Sequence, residues 1–135
     1  MNNQYIFKPR RINKRLLKQK VLFESLISVK INHSNKTVSV SKSLFYSDYL
    51  VLKKYYKNYI INAVMGVYFN NEGLKQLPAM DFGFVGYFSC SDNQLTSLEG
   101  CPEQVNGSFH CGNNVKQFTK EEVKQYCSVK DDIYV

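Results

Sequence analysis

Phe88-Ser89-Cys90-Ser91-Asp92-Asn93 returns 21 residues later as Phe109-His110-Cys111-Gly112-Asn113-Asn114. Between the two lies Leu95-Thr96-Ser97-Leu98-Glu99-Gly100-Cys101-Pro102, whose leucine pair is preceded 21 residues earlier by Leu74-Lys75-Gln76-Leu77-Pro78. Self-similarity at a short fixed period marks a stack of small units, none of which buries its apolar face alone. A degenerate earlier copy stands upstream. Val67 and Phe69 occupy the places of Phe88 and Cys90, Glu72 replaces the loop asparagine, and Gly73 eases the turn. The copy at Phe109 is one residue short before its last apolar position, Val115.

Strand alternation in each copy predicts that Val67/Phe69, Phe88/Cys90 and Phe109/Cys111 point inward as ladders. Asn93 and Asn114 then sit where the strand bends away, placed to satisfy backbone groups that the turn leaves unpaired. Leu74, Leu77, Leu95 and Leu98 fill the return side, and Pro78 and Pro102 bar a further helical turn there. The outward rows read Gly66/Tyr87/Ser108, Tyr68/Ser89/His110 and Asn70/Ser91/Gly112. Tyr68, Tyr87, Ser89, Ser108 and His110 are the predicted protein-binding residues of a concave face, because aromatic side chains among small polar ones give contact area at low entropic cost.

Outside the repeats, residues 11–27 place Ile12, Leu16, Phe23 and Ile27 near one helical face with lysines and arginines mostly opposite, an amphipathic helix. Val29/Ile31 and Val38/Val40 alternate with polar residues around His33-Ser34-Asn35-Lys36, which predicts a hairpin. A second helix is predicted from Ser47-Asp48, either of which is suited to cap it. Its tyrosines, with Lys53, Lys54 and Lys57, suit either core packing or base stacking. Thr119 with Glu122 forms a capping box for a last helix to about Cys127, and residues 132–135 form a closing strand. The expected architecture is α+β: a short leucine-rich-repeat-like solenoid of about three 21-residue repeats over 60–118, capped by an N-terminal helix–hairpin–helix (1–59) and a C-terminal helix (119–135).

The net charge of +7 is confined to one end, since residues 1–30 hold eight basic side chains against Glu24 alone. Arg10, Arg11, Lys14, Arg15, Lys18 and Lys20 are the candidate polyanion-binding residues, with a solvated helix face as the competing reading. The start lacks a secretory signal pattern, and no apolar run approaches the length of a bilayer span. Four cysteines without such a signal point to reduced thiols and a cytoplasmic location. The absence of a C-x-x-C pair removes the usual zinc and thioredoxin spacings, so neither metal nor cofactor is expected. No G-x-S-x-G, H-E-x-x-H or phosphate-loop pattern is present, and an enzyme is not expected.

The run Phe88-x-Cys90-x-x-Asn93-x-Leu95-x-x-Leu98-Glu99-Gly100-Cys101-Pro102 resembles the short leucine-rich-repeat-like proteins encoded by large tailed bacteriophages. The ending from Asn113 through Phe118-Thr119-x-Glu121-Glu122-Val123 to Ile133-Tyr134-Val135 is similar to their C-terminal cap. The likeness covers about residues 64–135 and departs from the family in the degenerate first and shortened third copies. It implies a repeat fold and protein–protein contact, with no shared catalytic residues. The leading functional expectation is a phage-type module that binds and inhibits or sequesters a host or viral protein by occlusion. Nucleic-acid binding through the basic helix and a structural role in a virion or assembly are the alternatives.

Overall fold

Short stretches of alternating burial, two to four residues long, recur along the described residues and lay down two sheets. The computed structural model describes residues 28–78 and 81–135. The elements run β1 (Val29–Asn32), β2 (Thr37–Val40), β3 (Leu44–Phe45), α1 (Tyr46–Tyr55), β4 (Ile60–Ala63), β5 (Val67–Tyr68), β6 (Phe82–Val85), β7 (Phe88–Ser89), β8 (Gln104–Val105), β9 (Phe109–His110), α2 (Lys120–Tyr126), β10 (Ser128–Val129) and β11 (Ile133–Tyr134). One sheet has the order β1-β2-β4-β6-β8-β10 and the other β3-β5-β7-β9-β11. All pairings are parallel except β1 with β2. Each turn of the chain from β2 onward therefore places one strand in each sheet before moving up by one strand.

This arrangement corrects the expected fold. The described residues form an α/β fold, with two helices and two mostly parallel sheets of six and five strands, and not a leucine-rich-repeat solenoid behind a helix–hairpin–helix cap. The sequence reading found one strand per copy and missed its companion, because Ile60–Ala63, Phe82–Val85 and Gln104–Val105 are short and share no common residue pattern. The hairpin is present, but it is no separate cap. Its strand β2 pairs in parallel with β4 through Val38↔Ile61 and Val40↔Ala63, so the sheet begins a full turn earlier than the repeats suggest. The expected helix over 11–27 lies outside the described residues.

The core fills the space between the sheets. Val38, Val40, Ile61, Ala63, Val85 and Val105 face it from the six-stranded sheet, and Leu44, Val67, Phe69, Phe88, Cys90, Phe109 and Cys111 from the other, all buried. In-register pairing Val67↔Phe88↔Phe109 stacks the large residues, with Phe69–Phe88 and Phe88–Phe109 ring centroids 6.0 and 5.2 Å apart. The helices occupy the returns at either end of the stack. Tyr49 and Leu52 bury one face of α1, and Val123 is the buried residue of α2. Asp48 accepts the Phe45 amide at 3.0 Å, so α1 begins earlier than the predicted cap, right after β3. Thr119 and Glu122 form the predicted capping box of α2. The two middle returns carry Leu77, Leu95 and Leu98 into the core without a helix. No helix among the described residues is long and apolar enough to cross a membrane.

Two devices hold successive turns in step. The Asn93 amide donates to the Phe69 carbonyl one turn back (2.8 Å) and to Cys90 (3.0 Å) and Ser91 (3.2 Å) of its own turn, while its Oδ1 accepts from Glu72 (2.9 Å) and Leu74 (3.0 Å). Asn114 repeats the pattern one turn later with Cys90, Cys111 and Gly112 carbonyls and the Leu95 amide. Asp92 and Asn113, just ahead of these two, and Asn71, ahead of Glu72 in the earlier copy, adopt φ of 57°, 56° and 58°, the left-handed conformation that Asn and Asp tolerate better than other side chains. The 21-residue period is thus also a period in backbone geometry. Asn93→Ala strips the pairing from buried carbonyls and loop amides together, and should lower the free energy of unfolding by about 3 kcal/mol. Asn114→Ala, which loses fewer bonds, should cost less; urea unfolding of both variants checks the size and the order.

Candidate functional site

The outward face of the five-stranded sheet carries the candidate site. Register places Phe45, Tyr68, Ser89, His110 and Tyr134 in one line across β3, β5, β7, β9 and β11. Four of these bear rings, and Tyr87, two residues before Ser89 on the same face, supplies the fifth. The ring centroids run Phe45–Tyr68 5.5 Å, Tyr68–Tyr87 5.1 Å, Tyr87–His110 5.1 Å and His110–Tyr134 4.2 Å. Interplanar angles of 29° to 55° make one of these contacts stacked and three tilted. The Tyr134 hydroxyl is held by Asp132, and the Tyr87 side chain hydrogen-bonds Ser89 beneath it. Rings whose faces are taken up by neighbours make poor platforms for base stacking, which needs an open π-face.

Of the predicted contact residues, the structure brings Tyr68, Tyr87 and His110 together. Ser89 is 5% exposed, because the Tyr87 ring lies between the rings on either side of it and closes over it. It supports the row from beneath and is not a contact residue. Ser108 is half-buried beside β9, its carbonyl accepting the Phe88 amide at 3.2 Å. Arg10, Arg11, Lys14, Arg15, Lys18 and Lys20 lie outside the described residues. The sequence reading missed Phe45 and Tyr134. They stand 23 residues before Tyr68 and 24 after His110, since the end turns must hold α1 and α2, and a search at a fixed step of 21 passes them by.

Tight glycine turns set the row. At Gly86 a Cβ would run into the carbonyl oxygens of Val64 and Met65, and at Gly107 into that of Gly86. The backbones of successive turns therefore touch just ahead of β7 and β9. Electrostatically the row is neutral along most of its length. Burial lowers the His110 pKa, which favours the uncharged imidazole at neutral pH. Burial raises that of Tyr87. At the last strand the Asp132 carboxylate raises the pKa of Tyr134, whose hydroxyl it accepts at 3.3 Å.

Beside the row, at the ends of β5, β7 and β9, lies a shallow polar groove lined by Asn70, Asn71, Asp92, Gln94 and Asn113. Its one carboxylate, Asp92, accepts the Asn113 amide at 2.7 Å. The helix aromatics go to the core: Tyr49 and Tyr56 are buried, and Lys53 pairs with Asp81 at 2.7 Å. His33 is exposed in the hairpin turn with Nδ1 2.7 Å from the Tyr59 hydroxyl. Among the described residues no group of three or more His, Cys, Asp or Glu converges to hold a metal ion. Comparison with protein families, with characterised proteins and with solved structures gave no match. The site is read from its own geometry.

All four cysteines are buried and free. Burial pushes the thiols of Cys101 and Cys127 up to about 12 and that of Cys111 to about 11, and raises Cys90 well above its ordinary value. The thiolate is the nucleophile, so these side chains are packing and not reagents. In the unfolded chain the same thiols ionise from about pH 8.5. Their protonated burial therefore contributes stability below that pH and loses it as pH climbs toward the folded values. At pH 8 a disulfide reagent should leave the native protein nearly untouched and titrate four thiols once guanidinium is added. Between pH 9 and 11 the urea midpoint should fall. A thiol that reacts at once in the native state would contradict this burial.

Proposed function

We propose that this chain is a non-enzymatic protein-binding module that acts by occluding its partner through the aromatic row. The observation that carries the reading is the row itself: five rings held at 4.2 to 5.5 Å spacing across five parallel strands. Tyr-rich surfaces on a rigid frame give large contact area while losing little side-chain entropy on binding. Each ring is already braced by its neighbours, so little ordering remains to oppose association. The resemblance to small leucine-rich-repeat-like phage proteins adds the setting, in which such a module inhibits or sequesters a host protein. Nucleic-acid binding through the basic first residues remains the competing reading, but the described surface does not favour it. Residues 28–135 hold eleven basic against ten acidic side chains, and the middle rings Tyr68, Tyr87 and His110 each have a ring neighbour on both sides.

The test compares the immobilised wild-type chain with the triple variant Tyr68→Ser, Tyr87→Ser, His110→Ser in bacterial lysate, after both are shown to unfold cooperatively. A protein retained by the wild type should be lost at least about tenfold from the variant, the size expected when clustered aromatic anchors are truncated. Equal retention by the two proteins, or none by either, would count against the proposal.

A further inference from the structure

The aromatic row has unlike ends, and the inference drawn from them rests on the binding role proposed above. At the first strands the row is bordered by apolar side chains. Phe45 is 53% exposed, and the turn into β5 carries Val64 and Met65 at 56% and 57%. That turn adjoins the row, because a Cβ at Gly66 would meet the Tyr68 ring at 3.0 Å. At the last strand stand two exposed carboxylates, Asp131 and Asp132. Asp132 accepts the Tyr134 hydroxyl and so lies on the face of the row, while the Asp131 amide donates to the Gly107 carbonyl beside Ser108. Neither carboxylate has an ion-pair partner among the described residues. Lys130, their neighbour in sequence, donates its amide to the Val105 carbonyl, and its ammonium forms no ion pair with either carboxylate. Lys42 precedes β3, four inter-strand spacings or about 19 Å away, beyond the range at which it would neutralise them in physiological salt.

We infer that the row takes an extended peptide segment of the partner protein, laid across the strands with an apolar side chain among Phe45, Met65 and Tyr68 and a lysine or arginine at Asp131 and Asp132. The charge fixes the direction in which the segment lies, and the apolar end supplies the anchor. An extended chain of about six residues covers the distance between the two ends. Tyr68, Tyr87 and His110 between them give the segment ring surface along its length. The same carboxylates repel a polyanion, which makes nucleic acid the wrong occupant for this face.

A ribosome-displayed library of random peptides, panned on the immobilised full chain, tests the assignment. Enriched peptides should carry an aliphatic or aromatic residue about six positions from a lysine or arginine. They should bind the double variant Asp131→Lys, Asp132→Lys about tenfold more weakly, with the gap closing at high salt. Phe45→Ser with Met65→Ser should weaken them from the other end without changing the salt response. Peptides that lose affinity for the Tyr68, Tyr87 and His110 triple variant, yet show no basic preference and bind the charge-reversed protein equally well, would overturn the inference and leave the binding role of the row standing. Peptides indifferent to both sets of substitutions, or no enrichment at all, would overturn the two together.

Discussion

The buried Asn93 carboxamide ties the architecture together. Parallel strands of two residues carry too few ladder hydrogen bonds to fix their own register, and a slip of one residue would turn every inward ring outward. Asn93 reaches from its own turn to the Phe69 carbonyl of the turn before and takes amides from Glu72 and Leu74. Asn114 does the same for the next pair, with the Cys90 carbonyl receiving both amide groups. Unpaired, these buried groups would each be costly, and paired they pin one turn upon another at a single height. Inward phenylalanines and outward aromatics then follow from the same register.

That register is why the site is a row. The inward faces of the strands satisfy the apolar demand of the core, so the outward positions are free to repeat a different chemistry. Tyr68, Tyr87 and His110 do so on the middle turns, and Phe45 and Tyr134 extend it to both ends. The thiols that share the repeated motif are held within the core with raised pKa values. The motif most conspicuous in the sequence is therefore the frame, and the proposed contact surface lies on the residues that alternate with it.

Much of this was legible from the residues. The inward ladders, the roles of Asn93 and Asn114, the hairpin, the capping box at Thr119 and the closing strand all follow from local rules of spacing and hydrogen bonding, and the structure has each of them. What was not legible had physical causes. The second strand of each turn is specified by burial between sheets, and Val38, Ile61, Phe82 and Val105 share no motif for a repeat search to find. The β6 strand even shifts register, with Asn62 accepting the Phe84 amide at the irregularity. Parallel pairing of β2 with β4 is a long-range fact that a hairpin signal conceals. The end turns are lengthened by α1 and α2, which hid Phe45 and Tyr134. Ser89 was misread because alternation gives the direction of a side chain and not what lies above it.

Buried asparagines lock the turns to one another. Hydrogen exchange of the native protein, resolved by residue, measures that claim. The amides of Glu72, Leu74 and Leu95 lie in loops outside any strand, yet each donates to an asparagine Oδ1. They should be protected to nearly the level of Phe88 and Cys90 in the sheet, and open only with global unfolding. Exchange of these three amides at the rate of exposed loops such as residues 33–36 would contradict it.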